Sequence, residues 1–268
     1  MVEPVNPELL LIDTDCLIWR FGLTHRDNDP AFPGEEPLTE TEALESNLWA
    51  AKEAFSQKLE YLLFDTKAKD YRLCLPVDDN VPNFRYLVFP SYKGHRKEKP
   101  EIITQLYSWV RETYKDILLQ DSGVETDDII ADNHLPNGTT MVVSNDKDMK
   151  QLPGWNLNPF TGVRTWITPE EAERFFWYQV LVGDSADGYP GCPKIGDKRA
   201  REILELCDHR NFHNVVWFTY LRQGATMADY RMNYELALLG GNNWRYPLGH
   251  TLPETYLDVL KEIRKNEP

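Results

Sequence analysis

Positive charge is scarce in this 268-residue chain. Twenty-nine lysines and arginines face 43 aspartates and glutamates, a formal net charge of −14. Taken alone, that balance argues against a nucleic-acid partner, because phosphates repel carboxylates. Two arrangements lift the objection: acids gathered around bound cations, or bases focused into patches. Cysteine is also sparse. Cys16, Cys74, Cys192 and Cys207 form no C-x-x-C pair and show no zinc spacing with histidine, which excludes a zinc ribbon and reads as buried, reduced thiols. No apolar run approaches the roughly 20 residues of a membrane helix. The start, MVEPVNPELLLID, lacks the basic and apolar regions of a signal peptide, so a soluble cytoplasmic protein without a membrane partner is expected. There is no internal repeat and no low-complexity segment.

What is present is an alternation of strands and helices. LLLID (9–13), YRLCLPV (71–77), DILLQ (116–120) and TTMVVS (139–144) read as strands, and NLNPFTGVRTWI as a hairpin turning at Thr161–Gly162. Residues 40–64 repeat apolar side chains every three or four positions, and 100–114 form an amphipathic helix opened by Pro100. Thr168, Pro169 and Glu171 mark another helix start, with a mainly helical pattern beyond. The polar, Pro-rich stretch 24–42 reads as a surface loop. This order predicts an α/β fold, a central, mostly parallel sheet flanked by helices over residues 1–165, with a helical region over 166–268.

In open α/β sheets, ligands collect beyond the carboxyl ends of the strands, and here three strands end in acid: Asp13, Asp78/Asp79 and Asp146/Asp148. Each acid has an ordinary explanation taken singly. Asp13 would cap a helix, Glu125 would close a capping box with Ser122, Asp146 and Asp148 would sit in a turn, and Asp184 and Asp187 would be helix-end charges. Jointly, acidic clusters beside buried segments cannot all stay ionised in one pocket without a cation. Carboxylate oxygens without His or Cys suit Mg²⁺ or Mn²⁺, and a pair of such ions polarises a phosphodiester and activates water. On a regular helix Glu125 shares a face with Asp128 rather than Asp127, so spacing leaves the choice between those aspartates open.

The bases cluster in two places. FRYLVFPSYKGHRKEK (84–99) carries Arg85, Lys93 and Arg96, with Tyr92 placed to stack on a base at a fraying end. GYPGCPKIGDKRAREIL (188–204) places Gly191 and Gly196 in a turn before a helix, with Lys194, Lys198 and Arg199 nearby, a form that grips phosphate through backbone N–H groups.

In order along residues 9–204, these segments resemble the 5′-nuclease superfamily: phage 5′–3′ exonucleases, the 5′-nuclease domain of bacterial DNA polymerase I and flap endonucleases. LLIDTDCLIWRF is similar to the family's first strand with Asp13 and a following DNA-binding Arg20. NFRYLVFPSYKGHRK matches F-R-x-x-x-x-P-x-Y-K-x-x-R, GVETDD matches G-V-E-A-D-D, VVSNDKD matches the S-x-D-x-D strand end, and LVGDSADGYPGCPKIGDKRA matches the G-D-x-x-D-N-x-P-G signature with Gly188 in place of Asn. The resemblance implies a PIN-like core, a small helical arch over about 93–120, and a helix–three-turn–helix in the C-terminal region. It implies Lys93 and Arg96 as catalytic bases, and Asp13, Asp78, Glu125, Asp127, Asp146, Asp148, Asp184 and Asp187 as ligands of two Mg²⁺ ions, replaceable by Mn²⁺. Spacing to Arg85 favours Asp78 over Asp79. Arg20, Arg85, Tyr92, Gly191, Lys194, Gly196, Lys198 and Arg199 are implied to touch DNA, with room for K⁺ at the Gly-rich turn. The implied substrates are 5′ flaps, 5′ ends, nicked or gapped duplex and RNA–DNA hybrid. A monomeric phage enzyme in the cytoplasm of an infected bacterium fits this compact chain. The competing reading is a non-catalytic junction-binding protein with a decayed metal site.

Overall fold

The computed structural model describes residues 6–24 and 39–240, so most of the 24–42 stretch and residues 241–268 lie outside the described residues. The chain runs β1 (Leu9–Asp13), α1 (Thr14–Thr24), α2 (Glu40–Thr66), β2 (Asp70–Cys74), α3 (Phe84–Val88), α4 (Glu101–Thr113), β3 (Leu118–Leu119), α5 (Thr126–Asn133), β4 (Thr140–Val143), β5 (Gly154–Leu157), β6 (Arg164–Ile167), α6 (Pro169–Val182), α7 (Asp197–Glu205), α8 (Phe212–Arg222) and α9 (Met227–Ala237). Six strands form one sheet in the order β3-β2-β1-β4-β5-β6. Every pairing is parallel except the β5–β6 hairpin at the edge. The central strands are nearly all apolar because helices cover both of their faces. Leu10, Ile12, Leu73, Met141 and Val143 point toward α1, α2 and α4, while Leu11, Cys74 and Val142 meet Ile129 and Ile130 of α5.

Local chemistry sets the helix boundaries. Thr39 and Glu42 exchange bonds in a capping box ahead of α2, and Thr168 and Glu171 do the same ahead of α6. Before α5 the expected Ser122–Glu125 box does not form. Ser122 instead donates to Asp79 at 2.6 Å, and the Glu125 backbone N–H donates to Asp128 at 2.9 Å.

The expected arch over 93–120 is corrected by α4. Ile102, Ile103, Leu106, Tyr107 and Val110 give this helix one buried face, packed into the core with α1 and α2. A helix arching over a site would leave both faces wet, whereas burying this stripe stabilises the core by roughly 1.5–3 kcal/mol per large side chain. Gly22 makes the approach possible, since a Cβ there would meet Ile103 Cδ1 at 2.5 Å. Only the turns before α4, residues 90–95, are left to overhang the strand ends.

Helices α6 to α9 form a second apolar cluster around Phe176, Trp177, Phe212, Trp217, Tyr220 and Tyr230, and Tyr92 from the turn before α4 is buried in it. The link between the two parts is Arg85, expected to touch DNA but only 1% exposed. Its guanidinium donates to both oxygens of Asp128 at 2.6 and 2.7 Å and to the carbonyls of Leu236 and Leu238. It therefore ties α3 to α5 and to the end of α9. Every polar atom is satisfied, so no phosphate can reach it.

Losing one partner of such a pair leaves an uncompensated buried charge, at a cost of about 3–5 kcal/mol. Arg85→Leu should lower the urea unfolding free energy by about that much, and adding Asp128→Leu should recover part of the loss. Unchanged stability in Arg85→Leu would contradict this role.

Candidate active site at the carboxyl edge of the sheet

The strand order reverses direction between β1 and β4, and in α/β sheets the crevice at such a point is where ligands bind. Asp13 closes β1 and is buried. Its two oxygens accept from Ser144 at 2.6 Å and from the Cys16 backbone at 3.1 Å. Ser144 follows β4 and also accepts from the Asp146 backbone N–H at 2.9 Å, which places the two aspartates on either side of one hydroxyl. Asp146 in turn accepts from the Asp148 backbone N–H, opening a short 3₁₀ turn, Lys147–Gln151. Asp148 accepts from Gln179 of α6 at 2.7 Å.

A second group hangs on the turns before α4. Lys93 holds φ +52°, a strained value for a residue with a side chain, fixed by its backbone N–H donating to the Asp187 carbonyl at 2.8 Å. From there its ammonium donates to both Glu125 oxygens at 2.6 and 2.7 Å and lies 3.6 Å from Asp187. Arg96 donates to Asp187 at 2.9 Å. Between them, Tyr92 is 1% exposed and lies 3.0 Å from both Glu125 and Asp187 through its hydroxyl. Tyr92 is therefore corrected from a base-stacking residue to a buried strut that spaces two carboxylates.

Asp184 and Asp187 lie in the turns after α6, where Gly183 and Gly191 pack backbone to backbone. A Cβ on either would fall within 2.5 Å of the other's chain. The Gly191 N–H is taken by Asn233 at 2.7 Å, so the expected phosphate contact through that group is corrected to an internal bond. Lys194, Gly196, Lys198 and Arg199 are exposed as expected, at and beside the entry to α7. Residues 190–196 line a hollow of about 420 Å³ with Asp229, Met232 and Asn233.

One further expectation is not met. Asp78 is 79% exposed and pairs with Arg111 of α4 at 3.6 Å, since after Val77, still bonded to the Asp121 carbonyl, its side chain faces outward. Arg20 is exposed on α1 with its guanidinium over the Phe160 ring. Asp128 is saturated by Arg85, the Glu125 N–H and the Gly240 N–H, whereas Asp127 accepts the Asp128 backbone N–H at 2.9 Å through one oxygen and, among the described residues, has no cation bonded to it. Two site residues escaped sequence reasoning. Asp15, next but one to Asp13, accepts from Tyr107 and Thr126 at 2.6 and 2.7 Å. Lys147, inside the N-D-K-D run, donates to Asp184 at 2.6 Å. The signals available were the D-x-D spacing and the lone cation among acids.

The electrostatics show the crowding. Burial pushes the Asp13 carboxyl up to about 7, and the charge of Asp15 adds to it. Burial likewise lifts Asp148 to about 7, with Asp146 contributing and Lys147 opposing. Asp127 is held well above the usual carboxylate range by burial, then by Asp128 and Glu125. Burial works against the charge on Lys93, yet Glu125 and Asp187 carry it above its ordinary value. Among the described residues no three His, Cys, Asp or Glu side chains converge into a ready metal cage. Instead, Glu125, Asp184 and Asp187 turn to Lys93, Lys147 and Arg96. The donor chemistry suits hard divalent cations; capturing one requires these acids to exchange an ammonium or guanidinium for it.

Acids at the carboxyl ends of a mostly parallel sheet, paired with lysine and arginine, define the class: an α/β protein with an acidic, cation-paired site at its switch point. The chain belongs to the 5′-3′ exonuclease family, with residues 8–174 matching its N-terminal, resolvase-like domain. It is 28% identical over 221 residues to DNA polymerase I of Rhizobium leguminosarum, covering 74% of this chain and 20% of that one. It is 30% identical over 165 residues to a 5′-3′ exonuclease of Buchnera aphidicola, 54% of this chain and 56% of the other. With flap endonuclease Xni of Shewanella halifaxensis it shares 30% identity over 186 residues, 60% and 72% of the two chains. It thus spans a fifth of the polymerase and just over half of the Buchnera exonuclease. The T5 D15 protein co-crystallized with metal ions has the same fold, with TM-score 0.58 and 17% identity over 85% of this chain and 88% of that one. A T5 5′-exonuclease with bound zinc gives TM-score 0.55 at 18% identity, over the same shares of the two chains. Among the described residues no helix is long and apolar enough to cross a membrane.

Because the folded pKa values of Asp13 and Asp148 lie above the unfolded value of about 3.9, the folded state holds the extra protons. The stability this confers is complete below about pH 4 and is lost as pH rises through 7. Thermal melts in EDTA should therefore show Tm falling from pH 5 to pH 8, and falling less in Asp148→Asn. Equal slopes in the parent and the variant would contradict the crowding.

Proposed function

We propose that this chain is a divalent-metal-dependent, structure-specific 5′-nuclease that hydrolyses DNA phosphodiesters at or near 5′ ends and flaps. The observation that supports the reading is a chain of contacts at the carboxyl ends of the strands: Asp13, Ser144, Asp146 and Asp148 follow one another, Lys147 reaches Asp184, and Lys93, Tyr92 and Arg96 join Glu125 to Asp187. Asp13, Glu125, Asp127, Asp146, Asp148, Asp184 and Asp187 are the residues that would hold Mg²⁺ or Mn²⁺. Asp78 is not included. Once bound, such ions supply Lewis-acid stabilisation of the phosphodiester and lower the pKa of water.

The chain's own residues do the rest. Lys93, locked by its backbone, presents an ammonium that offsets charge developing on the scissile phosphate, and Arg96 binds a non-bridging oxygen beside it. Tyr92 bridges Glu125 and Asp187 through its hydroxyl and fixes their separation. Lys194, Lys198 and Arg199, with the open N-terminus of α7, hold the duplex backbone without reading sequence. The segment α6–α7 thus serves as the helix–three-turn–helix grip, and the hollow at 190–196 is where K⁺ and a duplex phosphate would sit. The products are a 5′-phosphate and a 3′-hydroxyl. The substrates are 5′ flaps, nicked or gapped duplex and RNA–DNA hybrid, as in phage replication. The protein acts as a monomer.

A 5′-labelled flap and a nicked duplex should be cut in Mg²⁺ and left whole in EDTA. Binding in EDTA with no cleavage in Mg²⁺ would make the chain a junction-binding protein instead. Lys93→Ala should lower the cleavage rate by about 10²–10³-fold with a much smaller loss of affinity. Equal losses would reduce Lys93 to docking. Asp146→Asn keeps the acceptor for Asp148 and should abolish most turnover while DNA binding persists, and near-parent cleavage would remove Asp146 from the site.

A further inference from the structure

Two lysines sit on the acids of the cleft, and they are held very differently. Lys93 is 13% exposed, strained at φ +52°, and bonded to both oxygens of Glu125. It is built in. Lys147 is 59% exposed and reaches Asp184 from the 3₁₀ turn through its flexible four-carbon stem. Its neighbours on either side in sequence are Asp146 and Asp148. Asp184 is 4% exposed, and its other oxygen is already occupied by the Ala186 N–H at 2.7 Å. A carboxylate this deeply buried needs a cation, and Lys147 is the one it has.

Resting on the reading of these acids as a divalent-metal centre, we infer that Lys147 is an internal counterion: in the free protein it occupies the cation position beside Asp148 and Asp184, here called the outer one, and yields Asp184 to a divalent ion, so that the outer ion binds only in competition with it. The exchange is simple in charge and atoms. The Lys147–Asp184 hydrogen bond breaks, the ammonium swings into solvent with its proton retained, and Asp184 Oδ2 passes to the incoming ion. The flexible, exposed stem makes the exchange cheap. The inner position, beside Asp13 and Asp146, has no such competitor: among the described residues those acids accept from Ser144 and from the Cys16 and Asp148 backbone N–H groups and are bonded to no lysine. The free protein is therefore expected to fill its two positions unequally.

The test is Mn²⁺ titration of the DNA-free protein, reading free ion by electron paramagnetic resonance, for the parent, Lys147→Met and Lys147→Arg. Methionine keeps the stem and removes the charge. The weaker Mn²⁺ site should then tighten, roughly fivefold, and the rise in Tm on adding Mn²⁺ should exceed the parent's. Lys147→Arg keeps the charge and should bind the weaker ion no more tightly than the parent. Unchanged or weaker binding in Lys147→Met overturns the inference and leaves Lys147 an ordinary ion pair. If Lys147→Met does not fold in EDTA, Lys147→Arg carries the test, and tighter binding there overturns it. A parent protein that binds no Mn²⁺ overturns instead the metal-centre reading itself.

Discussion

Carboxylates gathered at the end of a buried parallel sheet repel one another, and burial raises the cost of every charge. That constraint organises the cleft. Asp13 and Asp148 respond by holding protons up to about pH 7. Glu125, Asp184 and Asp187 respond by taking up Lys93, Lys147 and Arg96. Tyr92 responds as a spacer. The proposed function is compatible with a net charge of −14 because the acid is concentrated where cations would bind and Lys93, Lys147 and Arg96 are set among it.

The frame that keeps the acids together is itself electrostatic. Arg85 joins α3, α5 and the end of α9 through one guanidinium, so the position of Glu125 at the start of α5 depends on a pair that never meets solvent. The apolar clusters follow the same division. One covers each face of the sheet, a third fills the helical part, and Tyr92 crosses from the turns into that third cluster. The acids lie along the seam where these clusters meet.

Much of this was legible in the sequence because it depends on local chemistry. Runs of apolar residues ending in aspartate marked β1 and β4, and the T-P-E-E start marked α6, since strand burial and helix capping are written within a few residues. The resemblance carried most of the acidic cleft. What could not be read depends on tertiary packing. An amphipathic stripe does not say which surface it covers, so α4 looked equally fit to arch over the site or to close the core. A side chain in a motif does not reveal its depth, so Arg85 and Tyr92 looked like DNA contacts while being almost wholly buried. Asp78 ends an apolar segment as Asp13 does, but its side chain is exposed and pairs with Arg111 of α4. The choice between Asp127 and Asp128 rested on which one Arg85 claims, a contact spanning 43 positions.

The central claim is that this acidic cleft is a divalent-metal centre facing a phosphodiester. Anomalous diffraction from crystals soaked in Mn²⁺ tests it most directly. The account predicts two difference peaks within the cleft, one bordered by Asp13 and Asp146 and one by Asp148 and Asp184, with Lys147 turned away from Asp184. Peaks only at surface carboxylates such as Asp78, or no peaks with Lys147 still on Asp184, would contradict it.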